Sequence, residues 1–401
     1  MNGAARAGRT TGLSARSRAG RPSLDALVDA TPDKRDRVVD LLRAVSIGVV
    51  VLWHWTFSVT HRNDGGALIM PNPIAEVPGA WAATWVFQVM PVFFLVGGYA
   101  NLAFWQSVTR DGGGARRFLT ARARRLIGPL VPWLACWLVV DLAIQASGGR
   151  AVLEWGMVVF IPLWFLGVYA LAVAAVPLTA RLHLAWRWRV PAILAAVVLA
   201  ADVLRLGVGW GEPIVGLVGS GAVWLFAHQL GYFWRDGTLT RDRRRAFIVA
   251  LVGLATLILL TTVGPYPRSM VAVPGEPMGN MFPTTAPIAA LAVFQLGIAL
   301  VARPWLAAWL RRRRPWRAVV AANGIAMPVF VWHMTALVAF VWLYEQAGFE
   351  LRDEASAAWW LTRPLWVVGP AVLLAVMIGI SRWVATRATA RRHRTRDGIA
   401  T

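Results

Sequence analysis

Apolar residues fall along this chain in ten long blocks, near 38–60, 81–105, 126–146, 154–178, 190–208, 215–234, 246–263, 284–302, 319–344 and 359–384. A helix of about 20 apolar residues is long enough to cross the hydrocarbon core of a bilayer. The pattern therefore predicts an all-α, polytopic integral membrane protein with about ten transmembrane helices. The fifth and sixth blocks are the closest together, with VGWGEP between them. Residues 1–37 are rich in Arg, Gly, Ala and Ser and lack apolar periodicity, which predicts a disordered basic N-terminal tail. Residues 38–385 then form one membrane domain, and 386–401 a basic C-terminal tail. The first block has full membrane length and no small-residue cleavage site after it, so a cleaved signal peptide fits poorly.

Positive charge sharpens the topology. Of the 41 Lys and Arg residues, 34 lie in the N-terminal tail, in the segments 106–125, 179–189, 235–245 and 303–318, and around the C-terminal tail. The alternate loops hold Arg62, Arg150, Arg268 and Arg352, with Arg363 at a helix end. Cytoplasmic loops attract Lys and Arg, so the alternation predicts an even helix number, a multi-pass protein of the cell membrane, and both termini in the cytoplasm. An apolar fraction of 57% and a mean hydropathy of +0.54 exclude an ordinary soluble domain. The net charge of +21 does not argue for nucleic acid, because the arginines sit between apolar blocks without interleaved aromatics. The partners expected are membrane lipids and a substrate, not nucleic acid. The lone Cys136 rules out an internal disulfide and reads as a small buried hydrophobe.

Two loops on the sparsely charged side stand out: the Pro-, Gly- and Met-rich 264–283 and the acidic 345–358. Either can cover a cavity, and either can be a plain connection. Asp202 and Arg205, three apart in the fifth block, read as an internal ion pair. His228 and Gln229 read as helix-to-helix hydrogen bonders, and GLVGSGA (216–222) as a site of close helix packing.

Ionisable residues deep in a span are expensive and point to a cavity or a partner. Arg43 and His54 lie in the first block, eleven positions apart, so they share a helix face roughly 16 Å apart along the axis. They can line one path. A histidine can take a proton from a hydroxyl, and a guanidinium suits phosphate. His333 lies in the ninth block at similar depth, and Pro328 before it removes a backbone hydrogen bond, which predicts a broken helix beside a cavity. Arg116, Arg117, Arg122, Arg124 and Arg125 crowd before the third block. Arg122 and Arg125 share a face if the helix extends that far, and can hold phosphates of a nucleotide-like donor, or simply mark the cytoplasmic side. No metal-ligand spacing and no serine nucleophile elbow is present.

These residues resemble a known family. RVVDLLRAVSIGVVVLWH, with Asp40, Arg43 and His54, is similar to the first-helix signature of the acyltransferase family 3 membrane proteins. PVFFLVGGYANLAF (91–104) resembles their second helix, with Val96-Gly97 where Ser-Gly is common. The Arg122–Arg125 pair followed by Pro129, PLWFLGVYAL (162–171) and VFVWHM (329–334) follow in the family's order. The resemblance implies transfer of an acyl group, acetyl foremost, from cytoplasmic acyl-coenzyme A to a hydroxyl of a carbohydrate, glycolipid or related acceptor. It implies His54 as general base, and Arg43, Arg122 and Arg125 as donor-binding residues. His333 orients His54, binds the acceptor or polarises the carbonyl; the sequence leaves all three open. The alternative reading is a proton-coupled transporter or exporter of a glycan or lipid precursor, in which the histidines carry protons.

Overall fold

The structure, a computed structural model, describes residues 23–240 and 242–397. Its helices in chain order are α1 (Leu24–Asp29), α2 (Arg37–Thr56), α3 (Trp81–Phe87), α4 (Met90–Arg110), α5 (Ala115–Ala146), α6 (Val152–Trp155) and α7 (Ile161–Trp186). They continue as α8 (Arg189–Asp202), α9 (Ile214–Arg235), α10 (Arg243–Thr262), α11 (Ala286–Trp309), α12 (Arg313–Gln346) and α13 (Ala357–Asp397). A two-residue antiparallel ribbon pairs His61–Arg62 with Leu68–Ile69 in the loop after α2. Among the described residues, ten helical segments are long and apolar enough to cross a membrane. All ten apolar blocks read from the sequence correspond to them.

The start of α2 is fixed by several polar contacts. Asp36 caps the helix by accepting the Val38 amide. The same carboxylate accepts from Trp234 Nε1 of α9 and pairs with Arg303 of α11, each at 3.0 Å. Arg37 donates to the Leu310 carbonyl at the end of α11. These ties hold α2 against α12, α4, α13 and α11. Its ionisable side chains Asp40, Arg43 and His54 face the neighbouring helices.

Backbone-to-backbone approach replaces side-chain bulk where α4 meets α9. A Cβ on Gly98 of α4 would lie 1.9 Å from the His228 carbonyl oxygen of α9, and one on Gly231 of α9 would lie 2.0 Å from the Leu95 carbonyl oxygen of α4. The small-residue run of α9 also packs closely: a Cβ on Gly219 would sit 3.0 Å from that of Ala201 in α8. His228 and Gln229 bond Asn101 of α4 and His183 of α7. Such bonds hold helices together where water is absent.

Several expectations change. Residues 1–22 lie outside the described residues, but the tail assigned to 1–37 includes the folded helix α1. Its Asp25 and Asp29 pair with Arg313, Asp25 also pairs with Arg317, and Trp316 Nε1 donates to Thr31. At the other end α13 remains helical to Asp397, so the tail assigned to 386–401 starts as helix. Cys136 is exposed on the sparsely packed apolar helix α5, not buried. Asp202 does not pair with Arg205. It accepts from the Tyr266 hydroxyl and the Ala286 amide at the start of α11, while Arg205 reaches Glu212 at 3.0 Å. Here a loop that sequence spacing ignores supplies the nearer partners. α12 runs unbroken through Pro328; a proline is tolerated in a membrane helix where its neighbours satisfy the freed backbone groups.

The close crossing of α4 and α9 sets the first expected outcome. Gly98→Ala forces the backbones apart and costs about 1–3 kcal/mol, as overpacking does. Gly48→Ala, with nothing within 4 Å of the added carbon, is the matched control. Thermal unfolding of the purified protein in detergent should show a lower midpoint for the first variant and none of that loss for the second.

Candidate functional site

α2 and α12 both run from the arginine-rich end of the molecule towards the end that carries the long loops, so they lie parallel. Along α2, Arg43 and His54 are eleven residues apart; along α12, Asn323 and His333 are ten apart. Each interval is close to three turns. The two helices therefore meet in register at two levels. At the first, Arg43 Nε donates to Asn323 Oδ1 at 2.6 Å, and Asn323 Nδ2 donates to the Asp40 carbonyl at 2.9 Å. At the second, His54 Nδ1 lies 3.0 Å from His333 Nε2, the two rings nearly parallel at 17°. Trp55 Nε1 closes this level by donating to the His333 carbonyl at 3.2 Å.

The partners dictate the tautomers. His333 Nδ1 is 2.7 Å from the Phe330 carbonyl, an acceptor only, so Nδ1 carries the proton. With both rings neutral, His333 Nε2 is then an acceptor and His54 Nδ1 must donate to it. His54 Nε2 is left with a free lone pair and has no protein partner among the described residues. This is the arrangement of a base whose second nitrogen is held by an orienting group.

The Asp40 carboxylate sits one turn before Arg43. It takes bonds from Arg43 Nη2 at 3.0 Å and from Arg35 Nε and Nη2 at 2.6 and 3.0 Å. Those bonds hold the Arg35 guanidinium above its ordinary pKa, despite the opposing effect of partial burial. Asp40 thus fixes two cations and has no part at the histidine level.

Three cavities follow this seam. At the arginine-rich end a vestibule of about 700 Å³ is lined by six cationic side chains, Lys34, Arg35, Arg43, Arg122, Arg125 and Arg235. Its two carboxylates, Asp36 and Asp40, are already paired, so the space is strongly positive. Tyr99 and Phe104 add aromatic rings, with the Arg122 guanidinium 4.6 Å from the Phe104 centroid. A narrow middle cavity of about 80 Å³ continues inward past Arg43, Arg122, Arg125, Asn323 and Tyr169. Arg43, Arg122 and Arg125 are close enough to feel one another's charge. A chamber of about 260 Å³ then holds His54 and His333, with Ser58, Asn72, Thr84 and Gln88 among its polar walls and Trp53, Phe87 and Trp164 among its aromatic ones.

The loop 264–283 covers this chamber. Val271 and Met281 line it. The loop is tied down by the Met270 amide to Thr84 Oγ1, by Trp85 Nε1 to the Arg268 carbonyl, and by Asn72 Nδ2 to the Ala272 carbonyl. Of the acidic stretch 345–358, Glu345 lies in the last turn of α12 and accepts two bonds from Arg62 at 2.7 Å.

The structure brings His54 and His333 together, and Arg43, Arg122 and Arg125 together at the next level. It does not provide the single uninterrupted path expected between Arg43 and His54. Asn323, Tyr169, Arg35 and Arg235 were not singled out from the sequence. Asn323 carries a signal: an amide in an apolar block, ten residues before a histidine. The vestibule residues look like any other basic loop residues until the helices are assembled.

No curated protein and no solved structure matches the chain. A family model described as an acyltransferase domain matches residues 36–382, a stretch that contains all of the cavities' histidines and tunnel arginines. This multi-pass membrane protein belongs to the acyltransferase family 3.

Proposed function

We propose that the protein transfers an acyl group, acetyl foremost, from acyl-coenzyme A to a hydroxyl of a carbohydrate, glycolipid or related acceptor. The observation that carries this reading is the ordered array on one seam: a cationic vestibule, an arginine-lined passage and a histidine pair with a free nitrogen. The positive vestibule suits the phosphates of the donor, held by Arg43, Arg122 and Arg125, and the rings of Tyr99 and Phe104 suit its purine base. The donor's thin arm is of a shape that fits the narrow passage. The acceptor enters the chamber under the 264–283 loop, whose neutral polar and aromatic walls suit a hydroxyl-bearing substrate. The charge alternation supports a vestibule that faces the cytoplasm.

In the transfer step His54 Nε2 removes the acceptor hydroxyl proton as the oxygen attacks the thioester carbonyl. The tetrahedral adduct collapses with loss of the carbon–sulfur bond. The thiolate leaves and takes the proton back from His54, which returns to the neutral tautomer. His333 holds Nδ1 throughout and stabilises the transient imidazolium by accepting its hydrogen bond. A transporter that uses the histidines for protons gives no purpose to six cations in the vestibule.

Three outcomes test this. His54→Ala abolishes acyl transfer while the protein remains inserted, read by mass spectrometry of envelope glycans and lipids from cells carrying the wild type, the variant or neither. His333→Ala lowers turnover about 10²–10⁴-fold, the scale of a lost proton-transfer arrangement, leaves donor affinity unchanged, and is partly rescued by His333→Gln, which keeps an acceptor. Arg122→Ala combined with Arg125→Ala weakens coenzyme A binding to the purified protein by calorimetric titration, and Asp40→Asn or Asn323→Leu weakens it further by releasing Arg43. Unchanged coenzyme A affinity in all of these variants would refute the donor site.

A further inference from the structure

The middle cavity and the histidine chamber share two walls. Phe165 of α7 and Phe330 of α12 line both spaces. Their rings meet edge to face with centroids 5.4 Å apart, and Phe93 of α4 backs Phe165 at 4.9 Å. Phe165 and Phe330 are 3% and 5% exposed, so the contact is shut. The arginines that would hold the donor lie on one side of it and His54 on the other.

From this we propose that Phe165 and Phe330 form a closable aromatic partition between donor passage and histidine chamber, which opens for the donor's arm and selects short acyl groups. The selector role rests on the acyl-transfer reading above; the partition itself does not.

Three arguments support it. First, the thioester must lie beside His54 Nε2 for transfer, yet the space below the partition is about 80 Å³, so an incoming arm has to displace at least one ring. Second, the two rings come from different helices and meet only edge to face, a weak contact that a bound arm can break. Third, the rings stand where the two spaces meet, on the way of every carbon of an acyl chain, and aromatic bulk there penalises each added methylene. Phe330 also fixes His333 through its backbone carbonyl, so changing its side chain leaves that hydrogen bond available.

The test uses the full chain in sealed vesicles of known orientation, with Cys136→Ala to remove the native thiol and Ser58→Cys to report on the chamber. A membrane-impermeant, negatively charged methanethiosulfonate added at the arginine end should label Ser58→Cys slowly. Phe165→Ala or Phe330→Ala should speed that labelling roughly tenfold or more, because a rarely open state no longer limits access. Reagent added at the loop end should label all of them alike, which shows that the variants are folded; Phe165→Leu provides a milder change. Equal labelling from the arginine end in parent and variants would overturn the partition. In parallel, release of coenzyme A thiol from acetyl-, butanoyl- and octanoyl-coenzyme A, in envelope membranes that supply the acceptor, reports chain length. The octanoyl-to-acetyl ratio should rise roughly tenfold or more in the alanine variants, and an unchanged ratio would overturn the selector. Thiol release from none of the three donors by the wild type would instead sink the acyl-transfer reading and the selector with it, leaving the labelling result to judge the partition alone.

Discussion

The parallel seam between α2 and α12 is the constraint on which the rest depends. Two polar pairs, Arg43 with Asn323 and His54 with His333, are spaced by nearly the same number of turns on the two helices. Polar groups this deep must be satisfied inside the protein, so either pair fixes the register of the other. A sliding or rotation of one helix that served only one pair would strand the other in an apolar interior. The anchors at the start of α2, Asp36 with Trp234 and Arg303, apply the same restraint from outside the seam.

Packing elsewhere serves to keep this seam in place. α4 and α9 approach through Gly98 and Gly231 until backbone meets backbone. α5 touches α12 chiefly through Trp133 and Trp137, whose indole nitrogens both donate to Thr335 at 2.9 Å, two residues beyond His333. The rest of α5 exposes apolar side chains such as Leu138, Val139 and Leu142, as a helix bordered by lipid does. The hydrocarbon supplies no force between helices, so the interior is held by close contact and by hydrogen bonds.

The ten spans were legible because a membrane crossing imposes length and hydropathy on each segment separately. Arg43, His54 and His333 were legible for a related reason: an ionisable residue stands out against an apolar block. What joins them was not. The distance between His54 and His333 depends on how α2 and α12 pack, and 279 residues separate them in the chain. Asp202 illustrates the limit from the other side: spacing offered Arg205, but the folded loop supplies Tyr266 and the α11 amino terminus instead. Phe165 and Phe330 lie in two of the segments that carry the family resemblance, but nothing in the chain says that their rings meet, since an aromatic residue in an apolar block reads as ordinary packing.

The vestibule lies at the arginine-rich end of the molecule and the histidine chamber beneath the loops of the other end, and this separation has a directional consequence. If the proposed chemistry holds, the nucleotide carrier never leaves the compartment that regenerates it, while the esterified product departs by the other door. Unlike a pump, such a protein needs no alternation of whole-domain conformations to make its work one-way. The asymmetry of its two mouths is enough, with the favourable hydrolysis-like energy of the thioester drawing the flow forward.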